Sequence, residues 1–159
     1  MIETAELQLT EDDHDKAFIE VCFLLDMFVD TIEKFVGKST PSLAVAAGRK
    51  MAANMPIHLT DPEPGKALSE LVRVFTIQQM DIAGEMEGNE AVITMNRCPI
   101  GAVCKERKMD LDGAACQMFH YYIAGIMAEF TGRPARPKTL AAGDTCTFKL
   151  AFSGAPRSS

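Results

Sequence analysis

Residues 112–132 read DGAACQMFHYYIAGIMAEFTG, and this stretch decides how the rest of the chain has to pack. Asp112 is a residue type that caps the start of a helix, and Gly132 is typical of the position just after a helix end. Between them, apolar residues recur at steps of three and four, which is the spacing of one helix face. The sequence therefore predicts a helix over 113–131 that needs a second apolar layer to cover it. Its apolar face consists of Ala115, Met118, Phe119, Tyr122, Ile123, Ile126, Met127 and Phe130.

The segments on either side of this helix predict a sheet as that second layer. Gly88-Asn89 is a two-residue hairpin signal between two runs of alternating side chains. After Gly143-Asp144, the apolar residues of the last run alternate, so they are expected on one inward face. They are Cys146, Phe148, Leu150 and Phe152. We expect an α+β fold, with an antiparallel sheet packed against several helices. The predicted strands are 81–87, 90–97, 138–142 and 145–152.

Three further helices are predicted in the N-terminal half, at 11–36, 41–54 and 65–79. Thr10 precedes an acidic first turn, and Gly37 follows the first helix as a stop signal. That helix carries more apolar surface than one face needs, so it is either central in the core or also part of a subunit contact. We expect a homodimer that uses Phe23, Leu24 or Met27. The three-four pattern of this helix comprises Phe18, Val21, Leu25, Phe28, Ile32, Phe35 and Val36.

The segment between the hairpin and the Asp112 helix is predicted to lack regular structure. Pro99 and Gly101 are residues that interrupt helices and strands. The charged run from Lys105 to Lys108 is typical of a solvated connector.

Length, charge and cysteine number limit the classes of protein that fit. A chain of 159 residues with 47% hydrophobic residues predicts one domain over 1–159. Five cysteines and an acidic N-terminus without a signal pattern predict a reducing, cytoplasmic location. A net charge of −6 argues against nucleic acid as a partner. The most apolar run, from Val21 to Val29, is broken by Asp26 and is too short to cross a membrane.

Four cysteines and one histidine lie in the last third of the chain, and they allow a metal site. Cys116 and His120 are four residues apart and share a helix face. With Cys98 from a strand end and Cys146 from the last strand, they form a Cys₃His set whose ligand types suit tetrahedral zinc. Zinc is therefore one possible cofactor, although the spacings match no standard zinc motif.

A second interpretation of the same residues is catalytic. Cys98 lies between a strand end and a Pro-Ile-Gly turn, where backbone N–H groups can lower a thiol pKa. His120 would then be the general base. Asp144 would orient the imidazole or bind a substrate amine. A third interpretation, from a different class, is a ligand-binding module without chemistry that uses an apolar pocket between the last helix and the sheet.

The order of these elements resembles the L-2-amino-thiazoline-4-carboxylic acid hydrolase family, which is similar in turn to the 4-vinyl reductase domains that bind small hydrophobic molecules. The resemblance covers roughly residues 40–152. It is carried by Cys98-Pro99, by Cys116, and by Gly143-Asp144-Thr145-Cys146-Thr147-Phe148.

The resemblance has two implications, one for activity and one for metal binding. The first is hydrolysis of a C–N or C–S bond in a small cyclic amidine-like or amide-like compound. By their chemistry, Cys98, His120 and Asp144 can take the catalytic roles that such a reaction needs. The second comes from the metal-containing sensors of the 4-vinyl reductase type, in which Cys116 and Cys146 would correspond to zinc ligands. Residues 134–142 hold neither the Cys nor the Glu that those sensors place before the Gly-Asp turn. A zinc site would therefore need Cys98 or His120 instead.

Overall fold

A computed structural model describes residues 10–154, apart from the side chains of Cys22, Leu25, Asp26, Val29, Glu33, Val36 and Lys38. The helices are α1 (Glu11–Val36), α2 (Thr40–Asn54), α3 (Pro64–Ile77), α4 (Pro99–Glu106) and α5 (Ala114–Thr131), and a short 3₁₀ turn, Gly37–Ser39, joins α1 to α2. The strands are β1 (Ile82–Glu87), β2 (Glu90–Met95), β3 (Ala135–Ala141) and β4 (Cys146–Phe152). No helix in this part of the chain is long and apolar enough to cross a membrane.

The four strands form one antiparallel sheet in the order β1-β2-β4-β3. The central pair, β2 and β4, aligns Ile93 with Phe148 and Met95 with Cys146. Alternate residues of β4, beginning with Cys146, are buried. The predicted α+β class, the antiparallel sheet and the inward face of the last strand are therefore confirmed. β3 begins three residues before the predicted start, and its Pro137 is tolerated because β3 is an edge strand.

The helices are layered on this sheet, and glycine allows one very close approach. α3 packs on β1 and β2, α5 packs on β3, and α2 packs on α5. A Cβ atom on Gly125 of α5 would lie 2.2 Å from the carbonyl oxygen of Val45, and one on Gly48 of α2 would lie 2.0 Å from that of Tyr122. Both neighbours are backbone atoms, so the two helices can be this close only because these positions carry no side chain.

The prediction of an irregular segment after Cys98 was wrong, because Pro99–Glu106 forms α4. Proline lacks an N–H, but the first turn of a helix has no acceptor for that group, so Pro99 starts the helix instead of breaking it. Cys98 occupies the N-cap position. The cap of α5 also differs from the prediction. Gly113 is its N-cap, while Asp112 has a left-handed backbone with φ of 62°.

The apolar pattern of α1 does not enter the core. Of the residues predicted for its apolar face, Phe18, Val21, Phe28, Ile32 and Phe35 are all exposed. The side chains of Leu25 and Val36 lie outside the described residues. The N-terminus of α1 is capped as predicted, since the Asp13 backbone N–H donates to the Thr10 hydroxyl at 3.2 Å.

We expect Gly125→Ala to lower the free energy of unfolding by about 2 kcal/mol or more. Overpacking a well-filled contact costs about 1–3 kcal/mol, and a backbone carbonyl cannot rotate away as a side chain can. This cost exceeds the gain of about 1 kcal/mol that alanine brings to a helix interior. Urea denaturation measures the change. Gly143→Ala is the control, because its Cβ would meet no atom closer than 3.9 Å. An unchanged midpoint for Gly125→Ala would contradict the close approach of α2 and α5.

Candidate functional site

Four of the predicted site residues line one small cavity between α4, α5 and β4. They are Cys98, Cys116, His120 and Cys146. Ile100, Gly101, Leu111, Phe119, Ala142 and Gly143 complete the lining. The cavity has a volume of about 10 Å³, which is close to the minimum for one water molecule. The fold thus brings together a strand end, a helix face and an inward strand face, as the sequence predicted.

His120 is the centre of the hydrogen bonds in this cavity. It is 2% exposed, and its ring stacks on Phe148 of β4 with centroids 4.1 Å apart. Nε2 lies 3.6 Å from the Cys146 Sγ, and Nδ1 lies 3.2 Å from the Thr139 hydroxyl oxygen. Thr139 donates in turn to a carboxylate oxygen of Asp112 at 2.6 Å. A chain of hydrogen bonds therefore runs from the Cys146 thiol through the imidazole and Thr139 to the Asp112 carboxylate.

The partners of Thr139 determine which ring nitrogen of His120 carries the proton. A hydroxyl has one hydrogen to donate, and Asp112, being an acceptor only, takes it. Thr139 must therefore accept from His120, so Nδ1 is protonated and the Nε2 lone pair faces the Cys146 thiol. Gln117 strengthens this arrangement, because its amide donates to both the Thr139 hydroxyl, at 3.2 Å, and Asp112.

Burial sets the protonation states of the cavity. It lowers the pKa of His120 to about 4, and the nearby charge of Asp112 opposes this only in part. Burial also raises the pKa of Cys146 to about 11, with a smaller contribution from the neighbouring Cys98 and Cys116 thiols. At neutral pH the pair is thus a neutral imidazole beside a neutral thiol. A proton can pass between them only when a new interaction stabilises the resulting charges.

Cys98 lies at the start of α4, on another wall of the cavity. Burial raises the pKa of its thiol, while the backbone N–H groups of Gly101 and Ile100 bond to the thiolate form and lower that pKa in part. Both ring nitrogens of His120 bond to other residues, Thr139 and Cys146, and not to Cys98. Cys98 therefore has the helix-terminal amides that the sequence suggested, but not the predicted base.

Asp144 lies outside the cavity lining, and its side chain is 90% exposed. It forms an ion pair with Lys105 of α4 at 2.7 Å. The orienting role predicted for Asp144 belongs by geometry to Asp112, which reaches the imidazole through Thr139.

The arrangement of the cysteine and histidine side chains does not fit the predicted zinc site. In residues 10–154, no three His, Cys, Asp or Glu side chains are grouped so that they could hold one metal ion. Cys98, Cys116 and Cys146 are free thiols. Cys98, Cys116, His120 and Cys146 thus share a cavity without forming the tetrahedral arrangement that zinc requires.

Sequence reasoning missed Thr139, Gln117 and the role of Asp112. A register shift in the pairing of β3 and β4 falls between Thr139 and Ala141. Such bulges re-aim side chains near sites and leave no clear mark in a short strand pattern. The one available signal was Asp112 followed by Gly113, because Asp tolerates the left-handed backbone better than most residues.

The fold and the site together define an α+β domain with a buried thiol–imidazole pair. Residues 16–150 match the L-2-amino-thiazoline-4-carboxylic acid hydrolase family. Because the match covers most of the chain, this protein belongs to that family. Among curated protein sequences, none matches the chain.

A solved structure with a similar fold is the phenol-responsive sensory domain of the transcription activator PoxR, crystallised with phenol. Its TM-score is 0.57 at 12% sequence identity, and the match covers 93% of this chain and 77% of that chain. At this identity, the similarity concerns the fold alone.

We expect the stability of the protein to fall as the pH falls from about 6.5 to below about 4. The unfolded chain binds a proton at His120 near pH 6.5, but the folded chain binds it only near pH 4. The shift corresponds to about 3 kcal/mol, fully present above pH 6.5 and lost as pH passes through 4. Urea denaturation of the protein and of His120→Gln isolates this contribution as the pH dependence of their difference.

Nitrogen NMR of the imidazole gives an independent check on the same residue. The Nδ1–H tautomer should persist down to about pH 5, and Thr139→Val should weaken that preference because it removes the acceptor. A His120 ring that titrates near pH 6.5 in the folded protein would contradict the buried, uncharged imidazole.

Proposed function

We propose that this protein hydrolyses a C–N or C–S bond of a small cyclic amidine-like or amide-like compound, with Cys146 as nucleophile and His120 as general base. The observation that carries the proposal is the 3.6 Å contact between Cys146 Sγ and the unprotonated Nε2 of His120. A nucleophile next to a base that a third group orients is the arrangement used in covalent catalysis. Membership of the hydrolase family supports the same class of reaction.

The first half of the reaction opens the ring. His120 Nε2 accepts the thiol proton as Cys146 Sγ forms a bond to the electrophilic carbon of the substrate. The electrons of the C=N double bond move onto its nitrogen, which takes the proton from His120. The double bond then re-forms as the ring C–S or C–N bond breaks, and the proton passes through His120 to the leaving atom.

The second half consumes one water molecule. His120 accepts a proton from water as its oxygen bonds to the same carbon, and the substrate nitrogen takes that proton. The C–S bond to Cys146 then breaks as the added oxygen forms a C=O double bond to the same carbon. The electrons of the broken bond return to sulfur, and the proton of that oxygen passes through His120 to sulfur. The products are the ring-opened compound and the enzyme with a neutral thiol and a neutral imidazole.

The start of α4 supplies the group that stabilises developing negative charge. Backbone N–H groups of Ile100 and Gly101 already point at Cys98, on the cavity wall beside Cys146. Oriented amides in a site without bulk water stabilise anions strongly, because they need no reorganisation. The same amides make Cys98 the alternative nucleophile, so the two thiols have to be tested separately.

The rim of the cavity carries the charges that such a substrate needs. The 2-amino-thiazoline-4-carboxylic acid of the family name has a carboxylate and a basic amidine-like group. Lys105 and Asp144, paired beside Gly143 at the cavity, can exchange their mutual ion pair for those two groups. Since the cavity has room for only about one water molecule, a substrate can enter only if part of the cavity wall moves.

We expect Cys146→Ser to lower turnover of L-2-amino-thiazoline-4-carboxylic acid by about 1,000-fold or more, because a serine hydroxyl beside a base of low pKa is a much weaker nucleophile. The purified protein is incubated with this compound. Release of a thiol reports cleavage of the ring C–S bond, and release of a primary amine reports cleavage of the ring C–N bond. Thermal unfolding checks that each variant is folded.

Cys104→Ser is the matched control, since Cys104 is also buried but does not line the cavity. It should keep its turnover. Loss of activity in Cys98→Ser with full activity in Cys146→Ser would transfer the nucleophile to Cys98. Full activity in both variants would refute a cysteine-dependent mechanism.

A second candidate function is small-molecule binding without turnover. It is favoured by the closed, mostly apolar cavity and by the fold shared with the phenol-responsive sensory domain. Calorimetric binding of the thiazoline compound, or of phenol, by a protein that releases neither a thiol nor a primary amine would support binding over catalysis.

A further inference from the structure

Among its described side chains, α1 has apolar residues on two sides, and only one of these sides is partly buried against the rest of the described chain. The guanidinium carbon of Arg107 lies over the Phe23 ring, 4.2 Å from the ring centroid. Glu20 forms an ion pair with the same arginine. Ile19 and Phe23 are partly buried on this side. The opposite side carries the α1 stripe, which we define as Phe18, Val21, Phe28, Ile32 and Phe35. Their exposed fractions are 49%, 57%, 57%, 36% and 86%.

The spacing of the α1 stripe is that of a helix–helix seam. Together with position 25, its members follow one another at steps of three, four, three, four and three, which is the a/d pattern of a coiled coil. Successive residues are rotated by about 100° around the helix axis, so Ile19 and Phe23 point about 150–170° away from the stripe. The pattern therefore cannot be explained by packing within the described chain.

The area of the stripe is sufficient for a dimer. Exposures of this size on three Phe, one Val and one Ile correspond to about 500–600 Å² per chain, or roughly 1,100 Å² for two chains. A specific interface needs about 1,000 Å² in total. The patch on one chain lies at the upper end of what monomers expose, about 300–600 Å², and patches of that size are often functional.

The charges of α1 favour one orientation of that second copy. The first turn carries Glu11, Asp12 and Asp13, whereas the last turn carries one acidic and one basic residue, Glu33 and Lys34. A parallel pair would bring two acidic first turns together, but an antiparallel pair keeps them at opposite ends of the seam. The step pattern is also the same in both directions, so an antiparallel pair sets Phe18 against Phe35, and Val21 against Ile32.

We propose that a second copy of this chain covers the α1 stripe, in an antiparallel contact of α1 with α1 across a two-fold axis. Each contact then occurs twice, as a two-fold interface requires. This seam differs from the one that the sequence suggested, because Phe23 is engaged with Arg107 on the other side of the helix. The proposal is independent of the proposed hydrolysis.

Light scattering of the full chain at tens of micromolar should give twice the chain mass. Phe28→Asp should raise the dissociation constant by at least about 100-fold, because it buries an unpaired charge in the seam. Met27→Asp is the matched control. It is 52% exposed on the same helix, but it points about 130° away from the stripe and should leave the dimer intact. Circular dichroism confirms that both variants keep their helices.

Three outcomes would overturn the proposal. A monomer mass for the unchanged protein would remove the second copy. A dimer that survives Phe28→Asp would place the interface elsewhere, and one that Met27→Asp disrupts would place it on the other side of α1.

Disulfide trapping tests the orientation. A mixture of Phe18→Cys and Phe35→Cys chains should form an intersubunit disulfide under mild oxidation that neither variant forms by itself. The unchanged chain, oxidised in parallel, accounts for disulfides from the native cysteines. Cross-linking of Phe18→Cys alone would indicate a parallel pair.

Discussion

Burial of an uncharged imidazole between α5 and β4 is the constraint on which the rest of the site depends. A ring that is 2% exposed has to have both nitrogens hydrogen-bonded, because an unpaired buried polar atom costs about 1–3 kcal/mol. His120 meets this requirement with one residue from β3 and one from β4. The two hydrogen bonds that His120 needs therefore fix the position of the edge strand β3 relative to α5. The same hydrogen bonds explain why Asp112 keeps a left-handed backbone, since its carboxylate accepts the hydrogen bond of the Thr139 hydroxyl.

The same burial keeps the thiol and the imidazole inactive until something changes in the cavity. A raised thiol pKa and a lowered imidazole pKa both disfavour the thiolate–imidazolium pair. In an open site, Cys146 would be more acidic, and it would also be more exposed to oxidation. A substrate that displaces the cover and offers an electrophilic carbon supplies the missing stabilisation, because sulfur then forms a bond instead of holding a free charge. The closed cavity and the reactive pair are thus compatible features of one site.

Periodicity predicted the long elements well, and tertiary geometry accounts for what it missed. The α5 helix has a complete three-four pattern, and β4 has a complete alternating pattern. Both could therefore be predicted without knowing which elements pack against them. The residue types of the site, Cys98, Cys116, His120 and Cys146, were also recognisable. The sequence did not show which of these residues are in contact. His120 contacts Cys146 instead of Cys98 because of the register of β4 and the bulge in β3. Pro99 shows a different limit, since the same residue can end one helix and begin another.

The cover of the cavity is held less firmly than the core beneath it. α5 is fixed by apolar packing against α2 and by the buried hydrogen bonds of His120. α4 buries Val103 and Cys104, fewer residues than the nine that α5 buries. It is also held at its C-terminal end by the contacts of Arg107 with α1, and beside the cavity by the ion pair of Lys105 with the exposed Asp144. Solvent-exposed ion pairs contribute little, because water screens both charges. Displacing α4 therefore costs less than displacing α5 or the sheet, so the path from solvent to Cys146 leads past α4, and the residues that attach α4 control access to the thiol.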